Sequence, residues 1–300
     1  MKMMNDVELK SVELSNGETL AYRLRSGGDE PLLLVHGNMS SSLFFDVLFD
    51  TLDKRFQVIA VDLRGFGLSS YHRPIRHIED FAEDLLLFVN TVGWSQFSIL
   101  GWSTGGGAAL QLGSMIPDRV RAIILLASMS TRGYPFYAAE AEGKSSELRR
   151  LTTWDEIAAQ EKSRMMESAI ERGDKGLLRA IYDAVVFSTA KPSEKRYEAY
   201  LDEMLLQRNL IDVYHALNIF NMTNEPHECS PGTGALKRVS CPILCVQGTD
   251  DLVIARQMTE ELIQDLGERL TLAEGKGFGH APQIDDAQWL SDQIAQFVLE

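Results

Sequence analysis

The residues best placed to do chemistry lie in Gly101-Trp102-Ser103-Thr104-Gly105-Gly106, between an apolar run ending at Leu100 and a helix-forming run beginning at Ala108. A strand that feeds a helix through so short a turn forces the serine into a strained conformation and exposes its hydroxyl. The flanking glycines let neighbouring backbone approach without clashing. The helix amino end contributes free amides and partial positive charge where an oxyanion would form after attack by the serine. A bare Gly-x-Ser-x-Gly also arises by chance as a helix-capping turn, but the strand before it and the helix after it favour a nucleophile here.

Two other loops follow apolar runs: His36-Gly37-Asn38-Met39 after residues 32–35, and Asp62-Leu63-Arg64-Gly65-Phe66-Gly67-Leu68-Ser69 after residues 58–61. With the serine turn, these loops resemble the α/β-hydrolase superfamily over nearly the whole chain outside residues 130–237. The resemblance implies an α/β fold, a mostly parallel sheet flanked by helices, and the chain order serine, acid, histidine. It places the acid after a late strand, where Gln247-Gly248-Thr249-Asp250-Asp251 makes Asp251 the candidate and Asp250 the alternative. It places the base in Gly277-Phe278-Gly279-His280-Ala281-Pro282, making His280 the base. The oxyanion donors it implies are the amides of Asn38 and Thr104, with Met39 as substitute for the former. A serine nucleophile separates the chain from relatives that use aspartate at this turn, and Ser–Asp–His chemistry calls for neither metal nor organic cofactor. His36 reads as a structural histidine, and His72, His77, His215 and His227 lack any comparable context.

The elements that must position these loops follow from periodicity. Residues 7–14 and 19–24 alternate around Asn16-Gly17 and predict a hairpin. Apolar runs at 32–35, 58–61, 97–100 (with Ser98 inside it), 122–126 and 243–246 predict strands covered on both faces, and 269–272 a last strand. Helical periods at 81–92 and 287–298 complete an alternating pattern. Between residues 130 and 237 the strand signal stops, and helices are predicted at 154–171, 175–186, 193–207 and 210–220. The expected organisation is therefore a core of residues 1–129 and 238–300 with a helical cap of 130–237, and the sharp junctions suggest a sheet able to fold without it.

Composition bounds the partners. The 43 acidic against 29 basic residues give a net charge of −14, and the sequence shows no basic stripe of the kind nucleic acid requires, so nucleic acid is not an expected partner. No run approaches the ~20 apolar residues of a membrane span, and residues 1–6 lack the apolar segment of a signal peptide, so a cytoplasmic location is expected. Cys229, Cys241 and Cys245 are odd in number, with neither disulfide nor zinc spacing, and read as buried thiols.

The expected substrate is a carboxylic ester. Its acyl contacts are sought at Met39, Trp102, Tyr134 and Phe136, and among the cap residues Tyr137, Met165, Met166, Tyr182, Phe187, Met204, Tyr214, Phe220 and Met222. The serine turn and Ser128-Met129-Ser130-Thr131-Arg132-Gly133-Tyr134-Pro135-Phe136-Tyr137 are similar to the intracellular polyhydroxyalkanoate depolymerases of bacilli. That similarity implies a short-chain polyester substrate and an apolar cap surface that meets the polymer. Two rival readings are a carbon–carbon bond hydrolase or lyase of the same fold and a ligand-binding signalling module. The first would want inward-facing cations, for which Arg132, Arg164 and Arg196 are candidates.

Overall fold

A computed structural model describes residues 7–138 and 149–300. Residues 1–6, expected to carry no signal segment, and 139–148, within the expected cap, lie outside the described residues. The chain opens with the hairpin β1 (Val7–Glu13) and β2 (Thr19–Arg25), then β3 (Glu30–Val35), α1 (Asp46–Thr51) and β4 (Phe56–Val61). There follow α2 (Ile78–Thr91), β5 (Phe97–Trp102), α3 (Thr104–Met115) and β6 (Val120–Leu126). The helical stretch comprises α4 (Trp154–Ala159), α5 (Glu161–Arg172), α6 (Lys175–Val185), α7 (Glu194–Met204) and α8 (Leu210–Ile219). The chain ends with β7 (Ile243–Gly248), α9 (Arg256–Leu266), β8 (Leu270–Gly275), α10 (Pro282–Asp285) and α11 (Ala287–Leu299).

The eight strands form one sheet in the order β1-β2-β4-β3-β5-β6-β7-β8, with β1–β2 and β2–β4 antiparallel and the remaining pairs parallel. The central strands are buried on both faces, which is why they read as continuous apolar runs rather than alternating ones. The carboxyl ends of β3, β5 and β7 lead into the loops carrying Asn38, Ser103 and Asp251. The crevice at the carboxyl end of a parallel sheet is where side chains from separate strands can meet.

Two differences from the sequence pattern affect the site. Residues 154–171 are not one helix: the chain breaks at Gln160, whose ψ of 140° is extended, and restarts as α5. The Gln160 side chain donates to the Tyr137 carbonyl at 2.7 Å, so the break turns a polar side chain onto the segment entering the helical stretch. Nor do the helices stand apart from the sheet. Tyr182, Phe187, Tyr197, Tyr200 and Met204 belong to the same apolar cluster as Phe44, Trp102 and Leu126, and Phe44 stacks on Tyr200 with centroids 4.2 Å apart.

Candidate active site

Ser103 sits between β5 and α3 with φ +55°, a left-handed conformation uncommon for a residue bearing a Cβ. Its amide donates to the Leu126 carbonyl at 2.9 Å, and its carbonyl accepts from the amides of Gly106 at 3.0 Å and Met129 at 3.3 Å. These bonds offset the strain, of order 1–3 kcal/mol for such a residue. The glycines around it are sterically required: a Cβ on Gly105 would lie 2.3 Å from the Val35 carbonyl oxygen, and one on Gly101 would lie 2.2 Å from the Gly105 oxygen.

The loop after β3 closes over this turn, since a Cβ on Gly37 would lie 3.0 Å from the Cβ of Ser103. Buried His36 anchors it: Nδ1 donates to the Gly37 carbonyl at 2.7 Å, and Nε2 accepts from the Leu63 amide at 3.0 Å. That pairing needs the neutral ring, and burial pushes the His36 pKa down to about 4. His36 thus has the structural place expected of it. Of the two amides expected for an oxyanion, Asn38 follows Gly37, and Thr104 opens α3 with its N–H among the unpaired donors of the first turn. The substitute donor, Met39, is not available. Its N–H is taken by Gln207 Oε1 at 3.1 Å.

Asp251 and His280 meet beyond the ends of β7 and β8. His280 Nδ1 lies 3.0 Å from Asp251 Oδ2, which also accepts from Gln247 Nε2 at 2.9 Å. Asp251 Oδ1 accepts from the amides of Val253 and Ile254 at 2.8 and 2.9 Å. Burial pushes this carboxyl up, but His280 and the two amides outweigh burial and leave it below its ordinary value. An ionised carboxylate only accepts, so Nδ1 carries the imidazole proton and Nε2 is left with a free lone pair. Asp250 is exposed, and its carboxylate accepts from its neighbour Thr249 Oγ1 at 3.0 Å. The histidine loop is held from both sides. The indole of Trp102 donates to the His280 carbonyl at 2.8 Å, and Asp285 Oδ2 accepts from the Gly279 amide at 2.8 Å.

Ser103, Thr104, Asn38 and His280 line one cavity of about 520 Å³. All four residues expected to touch substrate, Met39, Trp102, Tyr134 and Phe136, line it as well. Of the further cap candidates Met165, Met166, Tyr182 and Tyr214 reach it, whereas Tyr137, Phe187, Met204, Phe220 and Met222 do not. Phe187 and Met204 pack instead in the apolar cluster beneath the helices. None of Arg132, Arg164 and Arg196 lines the cavity: Arg132 pairs with Asp265 and Arg196 with Asp46. His72, His77, His215 and His227 are likewise absent from its walls. Among the described residues, no group of three or more His, Cys, Asp or Glu side chains is gathered as a metal site, and no helix is long and apolar enough to cross a membrane.

Residues that the motifs did not announce also act here. Gln247 supports Asp251 from the carboxyl end of β7, and Gln207 bonds the Asn38–Met39 segment from the connection between α7 and α8. A glutamine at a strand end or between two helices carries no spacing signal, so only the folded chain reveals either partnership.

Comparison with known proteins agrees with this architecture. The sequence profile of the alpha/beta hydrolase fold matches residues 30–287. The chain is 29% identical to Serine hydrolase-like protein 2 of Homo sapiens over 185 residues, which are 61% of this chain and 54% of that protein. It is 28% identical to a pimeloyl-[acyl-carrier protein] methyl ester esterase of Neisseria meningitidis over 271 residues, 88% of this chain and 92% of that one. The serine hydrolase-like relatives are matched over only about half their length. An esterase from Exiguobacterium antarcticum superposes with a TM-score of 0.73 at 16% identity, covering 97% of this chain and 99% of that chain, a likeness of fold. The chain belongs to the alpha/beta hydrolase fold family.

Proposed function

We propose that this protein is a serine hydrolase of carboxylic esters, with Ser103 as nucleophile, His280 as general base, Asp251 as its orienting acid, and the amides of Asn38 and Thr104 as oxyanion donors. One observation carries the reading. A serine held at positive φ at a helix start shares an apolar cavity with a histidine whose far nitrogen is bonded to a buried carboxylate. In the reaction, His280 Nε2 takes the Ser103 proton as Oγ attacks the acyl carbon, and the oxyanion is bonded by the two amides. The tetrahedral intermediate collapses as His280 returns the proton to the departing alcohol oxygen. Water, deprotonated by the same nitrogen, then releases the acid.

The cavity wall favours an apolar acyl group. Among the described residues the one lining side chain with a standing charge is Lys162, which is exposed on α5. A substrate carboxylate, as the carbon–carbon bond reading requires, would meet no buried cation among the described residues of this wall. The esterase named above, similar over most of both chains, supports ester chemistry. Residues 130–237 act in this reading as a cap that supplies the acyl wall. The resemblance at Ser128–Tyr137 makes a short-chain 3-hydroxyalkanoate polyester the specific substrate to try first.

The test is labelling with a fluorophosphonate, followed by turnover of a panel of acyl esters and of amorphous polyhydroxybutyrate. Modification at Ser103, multiple turnover, and loss of at least about 10³-fold in kcat on Ser103→Ala are expected. Stoichiometric ligand binding without turnover would instead point to the signalling module, and a Ser103→Ala variant as active as the parent would remove the nucleophile.

A further inference from the structure

Met39 follows Asn38 with φ +54°, a conformation that strains a residue with a long side chain. Both its backbone polar groups are held by side chains of the helical stretch. Gln207 Oε1 accepts from its N–H at 3.1 Å, and the Tyr182 hydroxyl donates to its carbonyl at 2.6 Å. Gln207 Nε2 donates in turn to Asn38 Oδ1 at 2.7 Å and to Asn209 Oδ1 at 3.0 Å. The Met39 N–H can only donate, so the carboxamide orientation is fixed: oxygen toward Met39, nitrogen toward Asn38. Asn209 Nδ2 then donates to the Arg64 carbonyl at 2.8 Å, and the Arg208 amide to the Gly65 carbonyl at 2.9 Å. One tripeptide, Gln207-Arg208-Asn209, therefore joins the loop after β3 to the loop after β4. Gln207 and Tyr182 are buried, so these bonds form away from competing water.

We propose that Gln207 and Tyr182 are positioning residues for the oxyanion site: they hold Met39 in its left-handed conformation, occupy its N–H, and so leave the Asn38 N–H as the amide that faces the developing charge. The inference rests on the ester-hydrolase reading above and adds to it a direct link from the helical stretch to the transition state. Without Gln207, Met39 can relax toward negative φ, turning the Asn38–Met39 peptide and shifting the Asn38 backbone, and with it the Asn38 N–H. A donor displaced from its oxyanion costs about 10²–10³-fold in kcat, with substrate binding little changed, because the bond matters only once charge has moved onto oxygen.

The experiment compares wild type with Gln207→Leu, Gln207→Glu and Tyr182→Phe on a short-chain ester. Affinity is measured in parallel for a trifluoromethyl ketone, whose serine adduct places an oxyanion in the same position. Gln207→Leu should lower kcat by about 10²-fold with KM within a few-fold, and should weaken ketone binding by a matching factor. Tyr182→Phe, which deletes one hydroxyl, should lose less in both. Gln207→Glu loses the donor to Asn38 and places negative charge beside the oxyanion. Its kcat relative to wild type should be lowest at alkaline pH and rise as the pH falls, because the neutral acid again offers one acceptor and one donor. A Gln207→Leu enzyme with unchanged kcat overturns the proposal, as does a fall in kcat with ketone affinity intact. Should the Leu variant not fold, a flat Gln207→Glu to wild-type ratio across pH overturns it equally. A wild type that neither turns over esters nor binds the ketone would strike the ester reading itself.

Discussion

At the scale of single residues, the two adjacent acids make the sharpest contrast. Asp251 accepts four hydrogen bonds through a buried carboxylate, whereas Asp250 is exposed to solvent. Asp251→Asn should leave the loop in place but present an N–H or a weaker acceptor to His280 Nδ1, misdirecting the ring proton, with kcat falling about 10³–10⁴-fold. Asp250→Asn should change kcat little, and a reversed ranking would reassign the acid. His36 allows a different test. Its pKa is held near 4 against an ordinary 6.5, so the unfolded chain binds a proton that the folded chain refuses. The stabilisation from neutral His36 is then complete above pH 6.5 and is lost as the pH falls from 6.5 through 4, on the order of 3 kcal/mol in all. In urea titrations across that window, His36→Asn should show a shallower fall of unfolding free energy than wild type. Parallel slopes would refute the assignment. The triad candidates were legible in the sequence because each lies in a glycine-marked turn after an apolar run. Gln207 was not, because a bond between residues 169 positions apart, such as Gln207 to Asn38, leaves no local pattern, and Gln247 was not, because a strand-end glutamine four residues before Asp251 carries no spacing signal of its own.

At the scale of elements, the strands were the easiest to read. Burial on both faces makes β3, β5, β6 and β7 mostly apolar rather than alternating, and the hairpin β1–β2 announces itself through Asn16-Gly17. The helices were harder. Helical periodicity continues through Gln160, yet the chain breaks there, because tertiary contact with the Tyr137 carbonyl overrides propensity. The junction of β5 with α3 is the element contact on which chemistry depends most. With a Cβ on Gly105 only 2.3 Å from the Val35 oxygen, β3 and α3 cannot keep their separation if the residue grows. Gly105→Ala should therefore cost stability by roughly 1–3 kcal/mol and move Thr104 away from the loop after β3, lowering kcat further than the stability loss explains. Gly173→Ala is the control for a glycine replaced without a close approach, since Gly173, unlike Gly105, lies at positive φ and meets nothing within 4 Å. It should lose about 1 kcal/mol from backbone strain alone and keep its activity. Equal activity losses in the two variants would show that close packing at Gly105 is immaterial.

At the scale of the whole molecule, the question is whether residues 130–237 are an appendage or part of one core. The abrupt change from strand-forming to helix-forming sequence suggested a separable unit, because patterning records the local period and not what each face packs against. In the folded chain, Tyr182, Phe187, Tyr197, Tyr200 and Met204 bury Phe44, Phe45 and Trp102 in a shared cluster. The ties are also polar. Buried Arg23 on β2 pairs with Glu203 at 3.0 Å, and Arg196 with Asp46 at 2.5 Å. Excision across a short linker would therefore expose several aromatic rings that are now fully covered, at roughly 1.5–3 kcal/mol each, and leave Arg23 without its Glu203 partner. Native proteins are stable by only about 5–15 kcal/mol. A chain joined from residue 129 to residue 238 should accordingly be insoluble, or should bind a hydrophobic dye and unfold without a cooperative transition. Removing residues 139–148 alone spares every one of these contacts and should leave cooperative unfolding intact. A soluble, cooperatively folding product of the larger excision would show that the sheet and its own helices suffice. The aromatic cluster would then serve the acyl wall rather than the stability of the fold.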